Sequence, residues 1–289
     1  MPLAKHGQKF QDRLTQQWVI ARGRKIDPNK MRWLLGPFGS PEEIGEKFIH
    51  QLAQNENLTI RRNCKNTGLL PSFNALNLKK EELSTLPKQI VDFYENTSEY
   101  QIKFTVQWNP IFRMFGFLIR LLFGQRLNQL NIPTTNLTNQ ELESEIIQLT
   151  EKNTPKVRYT FWLRKLASTG QVLYSGTYQT QSLPSGTTCI KATFPLPNGN
   201  ASVFMQPSIG KEKTLVLNSS GTKFGDAGFY FLLNDSQNQL WARFIPSFTD
   251  KLTLQEHNEN QLIANQILKL WQMKVVSFHY EITKRPSTD

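Results

Sequence analysis

The stretch Tyr100–Trp108, YQIKFTVQW, alternates without a break. Tyr100, Ile102, Phe104, Val106 and Trp108 fall on one side of an extended chain, and Gln101, Lys103, Thr105 and Gln107 fall on the other, because successive side chains of a strand point to opposite faces. One face is therefore buried and the other wet. Asn109-Pro110 stops the strand and caps a helix expected from Pro110 to about Gln129, with Pro133 forbidding its continuation. At about 100° per residue, Arg113, Gly116, Arg120 and Gly124 of that helix share one narrow arc. Ile111, Met114, Phe115, Leu118, Leu121 and Leu122 cover the opposite side. Its apolar run is too short and too charged for a membrane span. Three arrangements fit it: burial against a sheet with the arginines reaching the surface, a position across the mouth of a curved sheet with the arginines facing a cavity, or insertion at a lipid interface.

Upstream, Ser40-Pro41-Glu42-Glu43 reads as a helix start, with a capping Ser, Pro in the first turn and Glu three residues after the cap. A helix from about Pro41 to Gln54 is expected, and a second from Leu86 to Glu95 with Ile90, Phe93 and Tyr94 on one side. Downstream of about Ser144 the texture becomes β. Strands are expected at 145–151, 157–166, 171–181, 188–194, 201–205, 214–217, 229–234, 239–245, 251–256, 260–271 and 273–282. The hairpin signal Asn198-Gly199 joins the fourth and fifth. Thr138–Leu149 reads equally as a short capped helix or as the entry to a strand.

Helices first and an antiparallel meander after them make the expected class α+β: N-terminal helices, then a curved antiparallel β-sheet or barrel of about ten strands enclosing a long helix. The organisation read from the chain is a basic N-terminal arm over 1–35 and a single α+β domain over 36–283. That domain has a helical part over 36–135 and an antiparallel part over 144–283, and a tail over 284–289 follows.

The 34 Lys and Arg against 23 Asp and Glu give a net charge of +11 over 289 residues. Such a balance suits an anionic membrane surface or a polyanion, and equally a solvated surface that serves solubility. Lys5, Lys9, Arg13, Arg22, Arg24, Lys25, Lys30 and Arg32 concentrate the charge at the N-terminus. No nucleic-acid-binding signature accompanies them, so nucleic acid is not an expected partner. Cys64 and Cys189 have neither CxxC spacing nor a disulfide framework, which fits a reducing compartment. The first residues lack an apolar h-region, so a cytoplasmic protein is expected, with a membrane-peripheral one as the variant.

Chemistry-bearing patterns are sparse. His6, His50, His257 and His279 share no metal-ligand spacing, so neither a metal nor another cofactor is expected. Ser277, His279 and Glu281 share a strand face that reads as outward. Ser219–Phe231, SSGTKFGDAGFYF, lacks the strand-to-helix context of a phosphate-binding loop and reads as a turn around Asp226. No GxSxG elbow or triad pattern occurs, and catalysis is not favoured.

The segments GLLPSFNAL (68–76), VDFYENTSEY (91–100), FGQRLNQLNIP (123–133), TFPLPNGNASVF (193–204), KFGDAGFYF (223–231) and LWQMKVVSFHY (270–280) together resemble a family of uncharacterised bacterial proteins, which implies no activity. In element order the chain is also similar to helix-grip (START-like) ligand-binding proteins, though it ends in a strand where they end in a helix. Calycin-like barrels match that ending better, without the long helix. The function expected is binding of a hydrophobic or lipid-like ligand between sheet and helix. Arg113 and Arg120 are its candidate anchors, and Tyr159, Trp162, Tyr174 and Tyr178 its candidate walls, each of which also reads as plain core. The alternatives are a peripheral membrane protein using the basic arm and apolar helix, and an enzyme acting on a hydrophobic substrate from a titratable group at the base of its cavity.

Overall fold

The alternation of Tyr100–Trp108 is realised as a strand with those bounds. The structure is a computed structural model that describes residues 3–4, 10–39, 45–112 and 136–286. Its helices are α1 (Phe10–Arg22), α2 (Glu46–Asn55), α3 (Lys80–Thr85) and α4 (Lys88–Glu95). Its strands begin with β1 (Arg24–Lys25), β2 (Leu58–Arg61), β3 (Tyr100–Trp108), β4 (Leu137–Glu151), β5 (Val157–Leu166), β6 (Val172–Ser182) and β7 (Thr188–Leu196). They continue with β8 (Gly199–Ile209), β9 (Leu215–Asn218), β10 (Gly228–Asn234), β11 (Leu240–Phe244), β12 (Phe248–Asn258), β13 (Gln261–Leu270) and β14 (Met273–Lys284).

Ten of these strands close a ring in the order β3-β4-β5-β6-β7-β8-β9-β12-β13-β14, with β14 returning to β3. Every pairing in it is antiparallel. Closure removes the unpaired edges that a sheet this wide would otherwise expose. The ring closes through a fork in β8. Gln206–Ile209 pair with β9, while the earlier residues Gly199–Phe204 turn outward to pair with β10, which carries β11 and β1 beside it.

Inside and outside follow residue parity. Ile102, Phe104, Val106, Leu254, Leu262, Ala264, Phe278 and Ile282 join one interior core. The outward residues of β3 are polar, the reverse of the lipid-facing pattern of a membrane-spanning barrel. Where outward residues are apolar, the N-terminal half covers them. Phe48, Ile49, Leu52 and Ala53 of α2 pack on Ile147, Leu149, Phe161 and Leu163. Ile26, Trp33 and Leu34 pack on Cys189, Phe204, Tyr230 and Leu232.

One end of the barrel, at Tyr100, is plugged by α4 and the turn before it. Phe93, Tyr94, Leu69, Leu70 and Phe73 enter the interior core there. The plug is held by the Leu70 N–H donating to the Tyr94 carbonyl at 3.0 Å and the Asn77 amide donating to Thr188 Oγ1 at 3.2 Å. Gly68 permits the close approach, since a Cβ there would lie 2.2 Å from the Tyr94 carbonyl oxygen. At the other end Trp108, Leu270 and Val275 form the mouth.

The fold decides some of these expectations, corrects others and leaves the rest outside the described residues. The segment Thr138–Leu149 is strand, within β4. The hairpin joining β7 and β8 turns on Pro197-Asn198, one residue early, with Asn198 at φ 55. Gly199 instead opens β8, because a Cβ on it would lie 2.3 Å from the Leu232 carbonyl oxygen. Residues 10–35 of the segment set apart as a basic arm lie against the barrel: Arg24–Lys25 pair with β11, and Val19 and Ile20 cluster with Leu233. The helix expected from Pro41 to Gln54 is described from Glu46, and its proposed Ser40 cap lies outside the described residues. Only the first turn, Pro110–Phe112, is described of the helix expected to run to Gln129, with Asn109 Oδ1 accepting from the Ile111 N–H at 3.1 Å. Arg113 and Arg120 lie outside the described residues, and an enclosed long helix is not part of the described fold.

Candidate functional site

A cavity of about 390 Å³ reaches from Phe93 and Tyr94 at the plug to Trp108 and Phe248 at the mouth, and its lining continues past the ring to Phe229 and Phe231 of β10 and Trp18 of α1. That volume falls within the range of small-molecule sites, and so does its make-up of many apolar walls and few polar groups. Two of those groups are charged residues. Arg164 on β5 and Asp250 on β12 both line the cavity, and each is only 7% exposed.

Arg164 reaches the interior because it stands two residues from Trp162 on the inward face of β5. Its guanidinium carbon lies 4.0 Å from the centre of the Trp162 ring and 4.3 Å from that of Tyr174, a cation held between two π faces. Its Nη2 donates to the Tyr178 hydroxyl at 3.4 Å. Its Nε has no hydrogen-bond partner among the described residues.

Asp250 is fixed by its backbone and left open at its tip. Its N–H donates to Ser219 Oγ at 2.7 Å and its carbonyl accepts from the Ser219 N–H at 2.9 Å. Oδ2 accepts from the Gln266 amide at 2.7 Å, and Gln266 Oε1 in turn accepts from the Tyr280 hydroxyl at 3.2 Å. Oδ1 has no partner among the described residues. Burial pushes this carboxyl up to about 7, against the opposing pull of the Gln266 bond. Burial also raises the hydroxyls of Tyr174, Tyr178 and Tyr280, and Arg164 opposes it at each. The chamber is thus an apolar tube with one polar band, in which a permanent cation and a readily protonated acid each present an unused atom.

Of the wall residues expected from sequence, Trp162, Tyr174 and Tyr178 line this cavity. Tyr159 does not: it packs outside with the α2 cluster, and its hydroxyl donates to Glu56 Oε1 at 2.9 Å. Three positions separate it from Trp162, so the two point to opposite faces. His279 is outward as expected, bonded through Nδ1 to Asn265 Oδ1 at 2.8 Å. Asp226 closes its own turn by accepting from the Thr222 and Lys223 N–H groups at 3.1 Å. No cluster of metal-ligating residues occurs among the described residues.

Sequence reading missed Arg164, Asp250 and Gln266, although Asp250 and Gln266 each interrupt an otherwise apolar strand face and Arg164 shares the face of the expected wall residue Trp162. In β13 that face is Leu262, Ala264, Gln266, Leu268 and Leu270; in β12 it is Phe248, Asp250, Leu252 and Leu254.

No protein-family model matches the chain, and no solved structure matches it. It is 25% identical over 268 residues to an uncharacterised membrane protein, YndJ, of Bacillus subtilis strain 168. The match covers 92% of this chain and 46% of that protein, so the chain spans about half the length of the curated relative it matches. An uncharacterised relative agrees with the resemblance to an uncharacterised bacterial family. No helix among the described residues is long and apolar enough to cross a membrane.

Proposed function

We propose that this barrel is a binding protein for a hydrophobic or lipid-like ligand, held in the cavity between the α4 plug and the Trp108 mouth. The observation that carries this reading is a partly enclosed, largely apolar space of about 390 Å³ that the core side chains leave unfilled. A close-packed interior has few voids larger than a water molecule, and a large apolar one is favourably filled by apolar matter. The connection from β3 to β4 leaves and re-enters at the mouth, where the Trp108 N–H donates to Asn136 Oδ1 at 3.0 Å. Native mass spectrometry of protein taken from cells tests the proposal. A bound species that organic extraction removes and added lipid restores is expected; stripped protein that takes up no hydrophobic molecule would overturn it.

A second reading, a protein that works on a membrane surface from the cytoplasmic side, is favoured by the rim of the mouth. Trp271 is 66% exposed and Ile111 80%, and the Asn109 N–H donating to the Val275 carbonyl at 3.0 Å brings their segments together. Trp271 also sits at φ 48 beside Gln272 at φ 68, in a two-residue hairpin whose backbone ordinarily selects Asn and Gly. A bulky side chain kept in that conformation, exposed and flanked by the exposed Lys269 and Lys274, suits an interfacial anchor. The matched relative's description as a membrane protein supports the same reading. Co-sedimentation with phosphatidylglycerol vesicles, weakened by salt, is expected; equal pelleting with neutral vesicles would count against it.

A further inference from the structure

The polar band of the cavity has more hydrogen-bond donors than acceptors. Arg164 presents an unpartnered Nε–H, and its bond to the Tyr178 hydroxyl is long, at 3.4 Å. That hydroxyl, accepting there, keeps its own proton to give. Against these stands Asp250 Oδ1, the unpartnered carboxylate oxygen of the band among the described residues. No carboxylate lies within ion-pair distance of Arg164 among the described residues, so its charge rests on two ring faces. A guanidinium in an apolar chamber is matched best by a planar monoanion. A phosphate would bring more charge than one guanidinium balances.

We propose that Arg164 and Asp250 form the head-group site for a single-chain carboxylic acid: the ligand carboxylate accepts from Arg164 Nε, and Asp250, protonated as the ligand enters, donates to its other oxygen. This deepens the cavity reading and rests on it. The proton comes from solvent, so the bound site holds one guanidinium, one carboxylate and one neutral carboxyl. Burial favours that state and outweighs the opposing pull of the Gln266 bond. Gln266 on β13 satisfies Oδ2 and leaves Oδ1 for the ligand; Tyr280 on β14 is already engaged by Gln266; Ser219 holds only the Asp250 backbone. Tyr174 and Tyr178 on β6 and Tyr280 on β14 each feel the charge of both Asp250 and Arg164, the cation of the cavity. Burial keeps Asp250 half-protonated near neutrality before any ligand arrives, so protonating it on binding is a small step.

Titration calorimetry with decanoate and with decanol, across pH and in two buffers of different ionisation enthalpy, decides the matter. Decanoate is expected to bind more tightly than decanol, with proton uptake that rises toward one as pH increases above ~7. Its affinity should fall about tenfold per pH unit above pH ~7, as expected for a single linked proton. Asp250→Asn supplies an amide donor with no proton to gain, so decanoate binding should become independent of pH in that range and tighter than that of the unchanged protein in alkali. Arg164→Met should abolish the preference for the acid, and retention of decanol binding shows that the variant is folded. Decanol binding as tight as decanoate in the unchanged protein, or decanoate binding without proton uptake, overturns the head-group assignment and leaves the cavity reading standing. Binding of neither compound removes both.

Discussion

Gln266 Nε2 donates to Asp250 Oδ2 at 2.7 Å inside a barrel whose other inward side chains on these two strands are apolar. The bond keeps the carboxylate oriented but does not offset its loss of water, so the folded Asp250 titrates near 7 while an unfolded one titrates near 3.8. Between those values the native state holds a proton that the unfolded chain has released. Stability is therefore greatest below about pH 4 as far as this group is concerned, and is lost as pH rises toward 7. Thermal melts from pH 4 to 7 should show the decline, and Asp250→Asn should flatten it. A variant with the same slope as the parent would mean that Asp250 is solvated.

Lys191 gives the opposite slope. It is buried on the outer face of β7, where Nζ donates to the Trp33 carbonyl at 3.0 Å and to that of Leu35, with no carboxylate beside it among the described residues. Burial lowers its ammonium to about 7 from 10.5, so above pH 7 the unfolded chain binds the extra proton and stability should rise with pH until the tyrosines begin to ionise. Lys191→Met should remove that rise. It should also speed amide exchange in the segment 30–38, whose two carbonyls lose their donor; unchanged exchange there would show that Lys191 does not hold this segment.

The outer and inner walls can be separated by mutation. Phe48 is 4% exposed and meets Phe161 edge-on at a ring separation of 6.3 Å, outside the barrel. Phe48→Ala should cost ~3–5 kcal/mol of unfolding free energy in denaturant titrations, yet leave ligand capacity intact, because no atom of the cavity wall is removed. Loss of binding in a variant that is still folded would place α2 in the site.

The barrel was legible because alternation survives wherever one face of a strand meets a core. Tyr100–Trp108 and Val157–Leu166 were read with the bounds they have in the fold. The same parity, applied to charge, leads to the polar band: Arg164 shares a face with Trp162, and Asp250 with Leu252 and Leu254. What parity cannot supply is the fork in β8, since pairing with β9 on one half and β10 on the other depends on contacts distant in sequence. Nor could it show that Ile26–Leu34 fold back over Phe204 and Tyr230, because a basic segment with scattered apolar residues has no period of its own.

The tip of the β13–β14 hairpin offers a test in which function and stability move in opposite directions. Trp271 adopts a left-handed backbone conformation that costs a non-glycine residue ~1–2 kcal/mol, less for Asn, whose side chain bonds locally. Its ring is mostly exposed, so little packing offsets that cost, although its N–H donates to the Ser247 carbonyl at 2.8 Å. Trp271→Asn should therefore raise unfolding free energy by up to ~1 kcal/mol while it weakens binding to phosphatidylglycerol vesicles. A substitution that destabilised the protein would mean that the ring packs against the fold. One that stabilised it and left vesicle binding unchanged would remove the hairpin tip from any role at a lipid surface.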